Sequence, residues 1–320
     1  MENPSTKAAG DLLSDALRRV RITGSMQYCF MPRGEWEIDA TPAPYKPRDC
    51  IGFHIMAGGT CWLELDDERT VLIAGDIAAF PFGTQHKVGA GNSGRMIDPG
   101  NDLPPPPWSE TPILRYAADG DEVRMLCGYV QCEAMDFAPF RNMLPKFIHV
   151  RTAGDGVNDW LSQTIRQIVA EVDMPMRGGA SVLERLTEVV FLEVLRRQFL
   201  NEGKPESGWL AAAHDPALGR CLALIHAEPR RNWTLADMAR ASGLSRSVLT
   251  DRFGRCLDMS PMRYLRDWRL YLASLELKLA DKAVAIIANE AGYGDVASFN
   301  RAFSRRFGTP PAEWRKMRAG

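Results

Sequence analysis

The chain has 320 residues, 45% hydrophobic and 25% charged, with a formal net charge of −1. This composition excludes a disordered or collagen-like chain, and the length suggests two domains with connections. The near-zero charge hides a split: from Asp215 onward there are 18 Lys+Arg against 11 Asp+Glu, leaving 21 against 29 upstream, which fits nucleic-acid contact confined to one end.

Residues 1 to about 10 read as disordered. Asp11 to Val20 spaces Leu12, Leu13, Ala16, Leu17 and Val20 as one helical face. This N-terminus lacks a hydrophobic signal core, and no apolar run approaches bilayer-spanning length, so a cytoplasmic protein without membrane contact is expected. From Arg21 to about Val150, short apolar runs alternate with Gly, Pro and Asp. Strands are predicted at Ser25–Met31, Ile51–Met56, Thr60–Leu65, Ile77–Phe80, Ile113–Ala117 and Met125–Gln131, a spacing that suggests a β-sandwich or barrel.

Within this half, GDIAAFPFGTQH runs from Gly75 to His86. Gly75-Asp76 makes a turn into a strand, and Pro81 and Gly83 shape the next turn, which aims His86 inward. The pattern resembles the second motif of the cupin superfamily. The first cupin motif is not intact: the usual two histidines and glutamate are replaced by FHIMAGGTCWLEL, with His54 and Cys61 on strands joined by Gly58-Gly59. Two readings stay open. His54, Cys61 and His86 converge as an imidazole–thiolate site suited to zinc, or they are hydrogen-bonded and packed core residues. The missing carboxylate argues against an iron oxygenase. Asn92 to Pro112, with four consecutive prolines, reads as an extended loop at the mouth of the barrel.

Seven cysteines without C-x-x-C pairs argue for reduced thiols rather than a disulfide framework. The FHxxxxGxCWL hairpin and LCGYVQCEA strand resemble a cupin-type sensor domain carried by some transcription regulators. Some members of that group sense reactive chlorine through cysteines, making Cys50, Cys61, Cys127 and Cys132 candidates. Buried thiols are ordinarily inert, and Cys50, in a loop-like stretch, is the one expected to be exposed. Cys221 and Cys256 are assigned to packing.

Trp160–Val172 is an amphipathic helix, and a longer one runs from a Ser181 cap to about Leu200. An apolar helix pair at this place suits dimerisation or packing onto the barrel. Asn201–Ser207 is a polar hinge. Trp209–Ala213 and Pro216–His226 then open the last block.

That block holds two helix-turn-helix units. In the first, Thr234 caps a helix with Leu235, Met238 and Ala239 inward, Gly243 turns the chain, and Ser245 caps a second helix with Val248, Leu249 and Phe253 inward. Arg246, Ser247, Thr250, Asp251 and Arg255 point away. A helix beginning at Pro261 leads to the second unit, with Val284, Ile286, Ile287 and Ala291, a Gly292-Tyr293-Gly294 turn, an Asp295 cap and a helix anchored by Phe299, Phe303 and Phe307. Val296, Ala297, Asn300, Arg301, Ser304 and Arg305 face outward. Short core-anchored helices with such faces can enter successive major-groove segments.

The block resembles the AraC/XylS family of transcription regulators through Ala239, Gly243, the Ser245–Phe253 run, Pro261, Tyr264, Arg269, Ile287-Ala288, Gly292-Tyr293, Phe299, Arg301–Phe303, Phe307, Gly308 and Pro310. The resemblance implies base contacts by Arg246, Ser247, Thr250, Asp251, Val296, Ala297, Asn300 and Arg301, with Arg305 beside them. The expected architecture is α+β: a cupin-like β-barrel at 1–150, helical linker and dimerisation segment at 151–207, and an all-α DNA-binding domain at 208–320. The expected function is a homodimeric, promoter-binding regulator, of activator type and able to contact RNA polymerase. It would sense a small molecule, metal or oxidant and not act as an enzyme. The alternative is a cupin-type metalloenzyme with an accessory DNA-binding domain.

Overall fold

The computed structural model describes Leu17, Trp108 and residues 22–40, 50–92, 94–105, 110–152, 160–174, 176–201, 207–279 and 281–317. The expected helix over 11–20 and most of the hinge over 201–207 lie outside these. The chain divides into two compact units. One spans Val20–Cys132 and Leu144–Glu202; the other gathers Glu133–Met143 with the residues from Gly203 onward.

The first unit is built on strands β1 (Ile22–Pro32), β2 (Trp36–Asp39), β3 (Cys50–Gly58), β4 (Thr60–Leu65), β5 (Glu68–Ile73), β6 (Ile77–Phe80), β7 (Lys87–Ala90), β8 (Arg95–Met96), β9 (Ile113–Tyr116), β10 (Arg124–Cys132) and β11 (Ile148–Val150). They form two sheets, in the orders β11-β6-β3-β10-β1-β9 and β5-β4-β7-β2-β8. The expected barrel is therefore a pair of sheets rather than one closed ladder. The period-2 alternation of β4 shows why they meet: Cys61 and Leu63 point inward while Trp62 lies under Arg69 outside. Phe30, Met56, Phe80 and Met125 from one sheet pack with Trp36, Ile38, Leu63 and Val88 from the other.

Register on the first sheet places three side chains in a row. Tyr28 opposes Cys127, and Cys127 opposes His54. The strands approach so closely here that a Cβ at Gly128 would lie 2.2 Å from the Met26 carbonyl oxygen. Only glycine fits. Helices α1 (Trp160–Asp173) and α2 (Gly179–Asn201) belong to this unit, and Thr187 of α2 donates a buried 2.8 Å hydrogen bond to Gln27 Oε1 of β1. The longer helix starts two residues before the expected Ser181 cap.

The second unit holds α3 (Gly208–His214), α4 (Pro216–Ala227), α5 (Leu235–Ser242), α6 (Arg246–Leu257), α7 (Pro261–Leu279), α8 (Val284–Glu290), α9 (Val296–Phe307) and α10 (Pro311–Met317). Helices α5–α6 and α8–α9 are the two helix-turn-helix units, and α7 joins them. Residues Leu270, Leu277, Ile287, Phe299, Phe303 and Trp314 form the core of the second.

Candidate nucleic-acid interface and cupin cavity

The first helix-turn-helix is fixed at both ends by its own side chains. Thr234 and Asp237 form a reciprocal capping box at the start of α5. Gly243 closes α5 at φ 69°, and Ser245 Oγ accepts from Val248 N to start α6. Leu249 and Phe253 are fully buried, which orients the opposite face outward. Arg246, Ser247, Thr250, Asp251 and Arg255 all stand exposed on that face. Val248 does not join the core as expected; it is 41% exposed, one position round the helix from Leu249, and enlarges the outer face.

The second unit repeats the construction with different chemistry. Gly292 turns the chain at φ 83°, and a Cβ there would lie 2.5 Å from Arg269 Nη1. Arg269 is held by Pro229 O and Arg231 O at 2.7 and 2.8 Å, so this turn is locked against the α4–α5 connection. Asp295 Oδ1 accepts from Ser298 N at 2.7 Å and starts α9. Val296, Ala297, Asn300, Arg301 and Arg305 are exposed, while Ser304 is half-buried.

The sheet unit holds an open-mouthed cavity of about 340 Å³, lined among others by Tyr28, Phe53, His54, Phe80, His86, Trp108, Cys127 and Tyr129. Its polar groups form a directed chain. Thr84 O can only accept, so His86 Nδ1 carries the proton in the 2.8 Å bond between them. Neutral His86 therefore presents a bare Nε2, and His54 Nε2–H donates to it across 2.8 Å. His54 Nδ1 is then bare and accepts the Cys127 thiol proton at 3.1 Å. Tyr28 completes the row by hydrogen bonding to the same sulfur. Burial holds both imidazoles neutral: it depresses His54 well below the usual range, helped by His86, and brings His86 down to about 4 against the pull of Thr84 O and Asp39. Burial likewise pushes the Cys127 thiol up, so the pair rests as thiol and imidazole. Phe80 stacks on His86 at 3.6 Å between ring centroids.

A cupin family model matches residues 11–199, and a helix-turn-helix domain model matches residues 238–317. The chain belongs to the cupin family, and its C-terminal residues carry an AraC-type DNA-binding domain. It is a transcription regulator with a cupin ligand domain. An AraC-like transcription regulator of Streptomyces lividans is 29% identical over 314 residues, 96% of this chain and 98% of that protein. The HTH-type transcriptional regulator AlkR of Acinetobacter baylyi is 26% identical over 310 residues, covering 96% and 99%. Among solved structures, ToxT from Vibrio cholerae matches 95% of this chain and 99% of its own at 10% identity, with a TM-score of 0.38.

The cupin half brings together His54 and His86 but not Cys61, which donates to Met56 Sδ at 3.5 Å within the core. Burial, with Asp76 nearby, pushes the Cys61 thiol up to about 12. Cys127 takes the place beside the histidines that sequence reasoning gave to Cys61. The reason is register: β3 pairs with β10, and His54 faces Cys127 across it. This set does not fit a single metal ion. His86 and Cys127 meet opposite edges of the His54 ring, and the facing nitrogens are at hydrogen-bond distance, closer than two ligands of one ion stand. Among the described residues, no group of three or more His, Cys, Asp or Glu side chains is placed to hold an ion. Cys50, expected to be exposed, is buried in β3, as are Cys61, Cys127 and Cys132.

One feature of the AraC-type half escaped sequence reasoning. Glu133–Met143, encoded between two cupin strands, is packed into the helical unit. Lys278 of α7 donates to Glu133 Oε1 at 2.9 Å, with Asp136 at 3.7 Å, and all three are buried. Arg306 of α9 donates to Asp136 O at 2.7 Å. Phe137 lies between Tyr264, Trp268 and Tyr271. The hint in the sequence is a pair of acids, Glu133 and Asp136, set in an apolar stretch.

Proposed function

We propose that the regulator reads promoter DNA through the exposed faces of α6 and α9, and that a small ligand in the cupin cavity changes its promoter occupancy. The observation that carries this is the pair of separately capped helices whose buried Leu249, Phe253, Phe299 and Phe303 fix which residues face out. On this reading Arg246, Ser247, Thr250 and Asp251 serve one groove segment; Val296, Ala297, Asn300, Arg301 and Arg305 serve the next. Arg and Asn suit guanine and adenine edges, and Val296 and Ala297 suit thymine methyl groups. Effector binding acts by preferring one of two arrangements of the protein.

The same reading makes the working form a cytoplasmic homodimer. Met174, Met176, Val182 and Val189, around the α1–α2 helix pair, are exposed apolar groups that support this. No helix among the described residues is long and apolar enough to cross a membrane. The metalloenzyme alternative is disfavoured by the opposed His86 and Cys127 edges of His54. Binding-site selection from random duplexes tests the reading. A defined motif with two blocks one duplex turn apart supports it, and sequence-indifferent binding would remove it.

A further inference from the structure

Resting on the reading that the cupin cavity holds the effector, we infer that this effector is an uncharged, aromatic molecule. Three observations point the same way. The wall is built from rings: Tyr28, Phe53, Phe80, Trp108 and Tyr129 surround the space, with Tyr28 and Trp108 edge to face at 6.4 Å. Such walls reward flat apolar ligands by burial and by ring–ring geometry.

The polar groups inside are already matched with one another. Tyr28, Cys127, His54, His86 and Thr84 O form one chain in which each proton has an acceptor. No member offers a charge, because each histidine is neutral and the thiol keeps its proton. A charged ligand group seated among these groups loses its water and finds no counter-ion in the chain itself.

The ionised groups that line the cavity, among the described residues, are Asp39 and Asp98. Both are solvent-exposed residues, so they stand at the rim. Asp98 is committed to Gly100 N and Asn101 Nδ2 at 3.0 and 2.9 Å. Two carboxylates at the rim repel anions on approach. Asp39 stands on the strand beside His86 and pulls on its imidazole, but its carboxylate is solvent-exposed, where water weakens its pairing with a cation seated against His54 and Phe80. Both signs of charge are therefore penalised, for different reasons.

The test uses three probes with one ring system: naphthol, naphthoate and naphthylmethylammonium. Binding to the full chain is followed at neutral pH by calorimetry and by thermal shift. Naphthol is expected to bind at least about tenfold more tightly than either ion. Met26→Trp, which fills the cavity from β1, should abolish that binding; Met26→Phe, a smaller change, should weaken it if the larger one does not fold. Naphthoate or naphthylmethylammonium binding as tightly as naphthol, and sensitive to the same variants, overturns the inference while leaving the cavity as the ligand site. Failure of every probe to bind, or binding indifferent to Met26, overturns both the inference and the reading beneath it.

Discussion

The two helix-turn-helix units share a plan but differ in what already occupies their outer faces. On α6, Arg255 is paired with Asp251 at 2.6 Å, Thr250 donates back to Arg246 O at 2.9 Å, and Ser247 shares a 3.1 Å contact with the Ser245 cap. On α9, Arg301 rests on Ser298 Oγ at 2.9 Å, and its neighbours Val296, Ala297 and Asn300 are exposed. The first face must exchange contacts of its own before it meets a base. The second presents two apolar groups, an amide and a guanidinium. Exposed i,i+4 ion pairs are worth only about 0.3–0.5 kcal/mol, so under the proposed function the first face is biased toward positioning rather than barred from reading.

The turns differ too, and this gives the largest expected effect. Gly292→Ala adds left-handed strain and drives its Cβ into Arg269, which must leave two backbone carbonyls. We expect a loss of about 3 kcal/mol in urea unfolding. Gly243→Ala, whose nearest atom is Arg220 Nη2 at 3.8 Å, should cost about 1 kcal/mol from strain alone. Equal losses would mean that Arg269 does not lock the second unit.

Base discrimination comes next. Arg301→Ala should relax preference at one block of the site by roughly 1–3 kcal/mol in a binding-site selection. Arg246→Ala should act on the other block and by less. Reversed magnitudes would make α6 the principal reader.

The caps separate the units by pH. Asp295 is held below its usual range, first by the Ser298 backbone N–H and then by the Ser298 side chain, while the matching Ser245 does not titrate. A carboxyl with a depressed folded value stabilises above its unfolded value of 3.8 and loses that contribution as pH falls through the folded one. The first turn of α9 should therefore lose hydrogen-exchange protection in acid before that of α6. Asp237 titrates in the same sense at α5, so the contrast belongs to the recognition helices alone.

The smallest effect concerns the α6 ion pair. Asp251→Ala releases Arg255 toward a phosphate and should steepen the salt dependence of DNA binding by about one counter-ion. An unchanged slope would place Arg255 away from the backbone.

Much of this was legible in the sequence because it rests on local rules. Thr234, Ser245 and Asp295 each cap the helix expected of them, and Thr60–Leu65 and Ile77–Phe80 are strands within those bounds. What was not legible depends on pairing between distant segments. The choice of Cys127 over Cys61 follows from β3–β10 register, and a slip of one residue would have set Leu126 or Gly128 opposite His54 instead. The polar edge strand β5, ERTVLI, gave no clean alternation. The placement of Glu133–Met143 among the helices needs Lys278, 145 residues away from Glu133.

The most direct test of the account is the selected DNA site of the wild-type chain set beside those of Arg246→Ala and Arg301→Ala. Two blocks one duplex turn apart are expected, with Arg301→Ala relaxing preference in one by roughly 1–3 kcal/mol and Arg246→Ala relaxing it less in the other. The same unaltered site for all three proteins would contradict it.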